Sequence, residues 1–155
     1  MKFLTSGLRR SDNAVIQEII QAVCTAIYGE FGERYTLYTE AVAQDAAVPC
    51  FFVICTQSKL NRVMGDLYHK ETPLVIQYLP EDTENYRSEC EDVSYRLFLT
   101  LDQIPFKGGY INGTELRAEI IDGVLNFFVN YDMNVIKQTP SAPRMEKINV
   151  TQGLK

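Results

Sequence analysis

The sequence predicts an α+β domain, with two helices packed on a mostly antiparallel sheet in the order α-β-β-β-α-β-β plus an extended C-terminal tail. Three observations carry this reading. Two stretches repeat apolar residues at helical spacing: Ile16, Ile19, Ile20, Val23 and Ile27, then Tyr86, Cys90, Val93, Leu97 and Leu101. Around them lie short runs that are apolar throughout or alternate with period 2, as strands do. Two of those runs are joined by Asp122-Gly123, a preferred pair for a type I′ hairpin turn. Strands grouped together, with two helices to pack on them, read as a small α+β domain.

The first helix is predicted over residues 12–31. Ser11, Asp12 and Asn13 offer oxygens to cap its first amides, and Gly29 and Gly32 suit its end. Tyr35 to Val42 is rich in aromatic and β-branched residues and reads as a strand. Cys50 to Cys55 is apolar at every position, which fits a strand covered on both faces. Gln57 to Lys70 turns polar and basic before Thr72 to Leu79 returns to strand character. The simplest reading is a long hairpin with cations at its tip.

Pro80, Glu81 and Asp82 introduce the second helix, predicted over residues 83–101. Its early acids suit the positive end of the helix dipole, and Asp92 with Arg96 forms an i, i+4 pair. Pro105 and Gly108-Gly109 mark a loop. Leu116 to Ile121 and Val124 to Ile136 are predicted to pair as a hairpin. In the second of these, Leu125, Phe127, Val129, Tyr131, Met133 and Val135 alternate with mostly polar neighbours. Thirteen residues is long for a strand, so it is expected to project beyond its own core. Residues 137–155 hold two prolines and scattered apolar residues, too few for a core. The expected division is one domain over 1–136 and a contact-making tail over 137–155.

A chain of 155 residues is long enough for one domain with a real core. No apolar run approaches the ~20 residues of a spanning helix, and arginines interrupt the start before a signal peptide could form. The expectation is a protein that stays in the cytoplasm where it is made. A net charge of −5 argues against a dedicated nucleic-acid binder. The four cysteines, Cys24, Cys50, Cys55 and Cys90, form no CxxC pair and read as free thiols that pack as small hydrophobes.

The familiar catalytic arrangements are missing. His69 is the only histidine, set in a polar, basic stretch where solvation outweighs catalysis. Gly108 to Thr114 superficially resembles a phosphate loop but lacks the lysine and the following helix. The carboxylates from Glu81 to Asp92 read as a solvated helix flank, and the acceptor-like Asn112-Gly-Thr and Asn149-Val-Thr triplets should stay unmodified. No catalytic, cofactor-binding or metal-binding residue is therefore predicted.

Several runs together resemble a known family. They are Ile27-Tyr-Gly-Glu-Phe31, Tyr35-Thr-Leu-Tyr-Thr-Glu40, Pro49-Cys-Phe-Phe-Val-Ile54 and Ile76-Gln-Tyr-Leu-Pro80. Leu125-Asn-Phe-Phe-Val-Asn-Tyr131, Met145-Glu146 and Gly153-Leu-Lys155 complete the set. In order and wording they resemble the small tail terminators of Gram-positive prophages and phage-tail-like particles. The resemblance implies a structural protein, neither enzyme nor cofactor carrier, that forms a homohexameric ring. Such a ring caps the tail tube, stops tube and sheath polymerisation, and presents a joining surface to the neck or collar. Its partners would be copies of itself, the tube protein, and the sheath and neck proteins, with DNA passing through the lumen unbound by sequence and no membrane involved. It would assemble in the bacterial host and end at the neck end of the particle.

A cyclic ring needs two different patches that meet on adjacent subunits. The elements expected to supply them are the cationic tip (Lys59, Arg62, Lys70), the loop at Gly108 and Gly109, and the tail (Arg144, Lys147, Ile148, Val150). Solvated loops and a frayed terminus are the plainer readings of the same residues. Two other functions compete: a head–tail joining or tail-completion protein, and a small-ligand-binding or regulatory domain with a deep apolar pocket.

Overall fold

The two apolar repeats form two helices and the short apolar runs form strands. The computed structural model describes residues 8–40 and 45–137, with side chains from residue 14 onward. The order is α1 (Leu8–Phe31), β1 (Thr36–Tyr38), β2 (Cys50–Cys55), β3 (Lys59–Met64), β4 (Leu67–Leu79), α2 (Tyr86–Leu101), β5 (Gln103–Phe106), β6 (Gly109–Ile121) and β7 (Val124–Ile136). This is the predicted α+β class, with two strands, β3 and β5, that the sequence reading did not separate.

The sheet runs β1-β2-β4-β7-β6-β5, with β3 also on β4, and β1 with β2 is its one parallel pair among the described residues. Its spine is β4 against β7, paired from Leu67 opposite Ile136 to Tyr78 opposite Leu125. Residues directly opposite point to the same face, so the two alternating patterns reinforce one another. Leu74 meets Val129, Ile76 meets Phe127, and Tyr78 meets Leu125, all buried on the helix side. Phe51 and Val53 extend this face onto β2. Each such side chain contributes roughly 1.5–3 kcal/mol on burial. Ile19, Val23, Ile27, Val93 and Leu97 from the helices close the core.

Pro73 divides the outer edge of β4. Its carbonyl accepts from the Thr56 amide at 3.4 Å, so the side on which proline lacks an N–H is the same edge. Pairing lapses there: β2 covers Leu74–Leu79, β3 covers Leu67–Glu71, and Thr56–Ser58 bridges the gap. β2 and β3 are thus two halves of one long hairpin arm with β4.

The other end of the core is fixed by contacts to the end of α2. The Tyr131 hydroxyl donates to the Leu101 carbonyl at 2.8 Å, and the Gly113 amide donates to the Asp102 carbonyl at 2.7 Å. These satisfy carbonyls that a helix end would otherwise leave without partners. At the opposite end of α2, the Tyr78 hydroxyl donates to Glu89 within an aromatic cluster of Phe31, Tyr35, Phe51 and Tyr78.

Several boundaries depart from expectation. α1 begins at Leu8, so Ser11, Asp12 and Asn13 lie inside the helix and do not precede it. The strand expected over 35–42 is only Thr36–Tyr38, and residues 41–44 lie outside the described set. α2 begins three residues later than predicted, at Tyr86. Arg96 is only 3.9 Å from Asp92; its closer partners are Glu30 at 3.0 Å and the ring of Phe31 at 4.2 Å. Here a tertiary contact outcompetes the local helical pair. Cys50–Cys55 and Val124–Ile136 match their predicted spans, and the Asp122-Gly123 turn has φ of 51° and 77°, as type I′ requires.

Gly113 is the tightest position in this arrangement. A Cβ there would lie 2.7 Å from the Leu101 carbonyl oxygen and 2.8 Å from Val129 Cγ2. Gly113→Ala is expected to destabilise the fold by about 1–3 kcal/mol. Urea unfolding followed by circular dichroism would show a lowered midpoint with unchanged slope; an unchanged midpoint would refute this packing.

Candidate assembly surfaces

An exposed arm follows from the register. Beyond the helix-covered part of the sheet, β3, the start of β4 and the end of β7 continue as a three-stranded ribbon. Asn61 to Asp66 is exposed throughout. The tip turns at Gly65-Asp66, where Gly65 has φ of 54°, and it carries Val63 and Met64 at 56% and 69% exposure. Apolar side chains held out in water at a paired, ordered turn are the kind of surface that marks an interaction site when they cluster.

The predicted tip cations are placed unequally. Arg62 lies opposite Tyr68, donates to its hydroxyl from Nε (3.1 Å) and Nη2 (2.7 Å), and lies over its ring. Lys59 lies opposite Glu71 with a long 3.9 Å approach, which exposed groups make weak. Lys70 is different: it is 1% exposed, faces the helix side, and donates to Ser58 Oγ at 3.2 Å. It is a buried residue at the root of the arm and not part of its tip. Period 2 from Leu74 and Thr72 back to Lys70 is the signal that would have placed it inward. His69 also lies on β4 and not in a loop, half exposed, with Nδ1 3.1 Å from Asn134 Oδ1 and Nε2 3.7 Å from Asp132.

The expected loop at Gly108 and Gly109 is a hairpin instead. Lys107 (φ 46°) and Gly108 (φ 75°) form a tight two-residue turn, Phe106 faces Gly109, and Gly109 begins β6. Lys107 ties the turn to α1 through Glu18 at 2.9 Å. The tail residues Arg144, Lys147, Ile148 and Val150 lie outside the described residues.

Two further surfaces are open. β6 pairs β7 on one side, and among the described residues no strand pairs its other edge over Arg117–Ile121. The sheet face away from the helices carries polar contacts: Gln77 to Asn126 at 3.0 Å, Asn130 to Asp132 at 2.6 Å, and Arg117 to Glu119 at 2.9 Å with its guanidinium over Phe128. On this face lies a recess of about 540 Å³ between Lys59, Glu71, Pro73, Arg117 and Phe128, open to solvent. Its cations are partnered by Glu71 and Glu119, so its lining differs from the deep apolar pocket with convergent polar groups expected of a ligand domain. Among the described residues no group of three or more His, Cys, Asp or Glu is placed to hold a metal, and no helix is long and apolar enough to cross a membrane.

Comparison with known proteins adds one match. The family model described as phage tail terminator protein matches residues 18–143, which spans the fold from α1 through the arm and β7. No curated protein matches the chain.

All four cysteines are free, Cys50 and Cys90 buried and Cys24 and Cys55 partly so. Burial pushes each thiol above its ordinary value. The folded chain therefore holds its thiol protons more tightly than the unfolded chain, and this share of stability is lost as pH rises past the ~8.5 of a free thiol. The expected result with a thiol-reactive chromophore at pH 8 is slow, incomplete labelling of the native chain and four rapid equivalents after denaturation. A fast native equivalent at Cys50 or Cys90 would contradict their burial.

Proposed function

The chain belongs to the phage tail terminator family, and from that premise we propose that it is the ring subunit that caps the last layer of a tail tube. Tail terminators are structural proteins of phage-type tails, so the place of this chain is in the tail of the particle. The finer reading is a homohexamer that stops tube polymerisation, presents its outer surface to the neck or collar and, in a contractile tail, holds the last sheath ring.

The observation that carries this reading is the family match over a fold whose arm projects with the outer strand β3 and the tip exposed. A closed ring needs heterologous contacts, in which a projecting element of one subunit meets a different surface on the next. The arm supplies the first kind of element, through Lys59, Arg62 and the tip. The open β6 edge is suited to strand addition, in which main-chain bonds give affinity. The C-terminal segment, with Arg144, Lys147, Ile148 and Val150, is assigned to the same inter-subunit and neck contacts. The net charge of −5 suits a lumen through which nucleic acid slides, because phosphates are repelled and not retained.

Polymerising the cognate tube protein with and without this chain tests the proposal, with tube lengths measured by electron microscopy. The expected outcome is a bounded length distribution and a cap of added density at one tube end. Tubes that grow to the same lengths, with bare ends, would refute the terminator role.

A further inference from the structure

The helical repeat that buries α2 leaves an apolar remainder unexplained. At 100° per residue, Cys90, Val93, Leu97 and Leu101 share one side, and all four are buried. Tyr95 and Leu99 fall on the opposite side, each 66% exposed, with Phe98 at their flank 4.9 Å from Phe127. A surface helix on a two-layer domain is expected to carry polar residues there. Around these apolar residues it does: Glu91 and Asp92 lie one turn before Tyr95 and Asp102 one turn after Leu99, while the cation among them, Arg96, is engaged by Glu30 at 3.0 Å and lies 3.9 Å from Asp92. The result is an apolar pad with an acidic rim on the outer side of α2.

The arm tip has the converse make-up. Val63 and Met64 are exposed beside Arg62, whose guanidinium is held outward on the ring of Tyr68. Its own chain's pad is out of reach. α2 ends at the level of Tyr131, opposite Thr72, and the arm continues a further five residues to Leu67, about 17 Å along paired strands. Two unlike patches, complementary in apolar character and in charge, that cannot meet within one chain are what a heterologous contact between copies requires.

We propose that the arm tip of one subunit docks on the outer face of α2 of the next copy, with Val63 and Met64 against Tyr95 and Leu99, and Arg62 against the acidic rim. This rests on the ring reading above and assigns the two surfaces that close it. The side chains involved are exposed, so their removal costs the monomer little. The core of each patch is apolar and the rim charged, the layout of a specific protein interface.

Disulfide trapping tests the pairing. In the Met64→Cys, Leu99→Cys double variant, mild oxidation of the assembled protein should give a ladder of linked species up to the ring. Each single variant should match the parent with its native thiols. In parallel, Arg62→Glu should lower the assembled fraction at least tenfold, and adding Glu91→Arg should restore it, with thermal unfolding unchanged in both. A multimer by light scattering that gives no ladder and ignores both charge variants would overturn this docking and leave the ring standing. A chain that stays monomeric, even with tube protein present, would overturn the ring reading and this contact with it.

Discussion

The register between β4 and β7 is the constraint on which the remaining structure depends. Twelve opposed pairs set which side of each strand faces the helices. A slip of one residue would put Asn126, Asn130 and Asp132 under α1 and α2 and turn Phe127, Val129 and Tyr131 to water. Burying even one such polar group unpaired costs about 1–3 kcal/mol, so the slipped alternative is excluded many times over. The same pairing continues past the helices and becomes the arm. One ladder therefore organises the core at one end and holds out an exposed tip at the other. Pro73 marks the change, where the outer edge of β4 passes from β2 to β3.

Residues whose pattern records burial were legible in the sequence. The α1 stripe, the continuous apolar run of β2, the alternation of β7 and the Asp122-Gly123 turn all predicted their elements, because one buried face leaves a periodic trace. β3 leaves none. Lys59 to Met64 is exposed on nearly every residue and is a strand only because β4 offers partners, so its order comes from tertiary hydrogen bonding and not from propensity. β5 and the start of β6 were hidden for a related reason. Glycines at 108 and 109 look like loop residues, yet Gly108 supplies the positive φ of a tight turn, and Gly109 begins the strand that leads to Gly113, where only a missing Cβ lets β6 approach the end of α2.

The candidate surfaces show the same division. Charge in the sequence drew notice to Lys59, Arg62 and Lys70 together, and only the pleat separates the buried Lys70 from the exposed pair. The α2 pad escaped because Tyr95, Phe98 and Leu99 blend into an apolar helix until the buried side is known. Their exposure is informative because the fold has already met its own need for apolar contacts elsewhere. In the proposed ring of identical copies such a remainder has a physical use, since closure needs apolar surface that the monomer leaves unburied.

The central claim is that this chain is a ring subunit whose surfaces close on copies of itself and on a tube end. Molar mass by light scattering on a sizing column, alone and with the cognate tube protein, tests it most directly. The account predicts a discrete multiple of the 17.7 kDa chain, six for the hexamer, formed alone or at tube ends. A monomer that elutes unchanged beside the tube protein would contradict it.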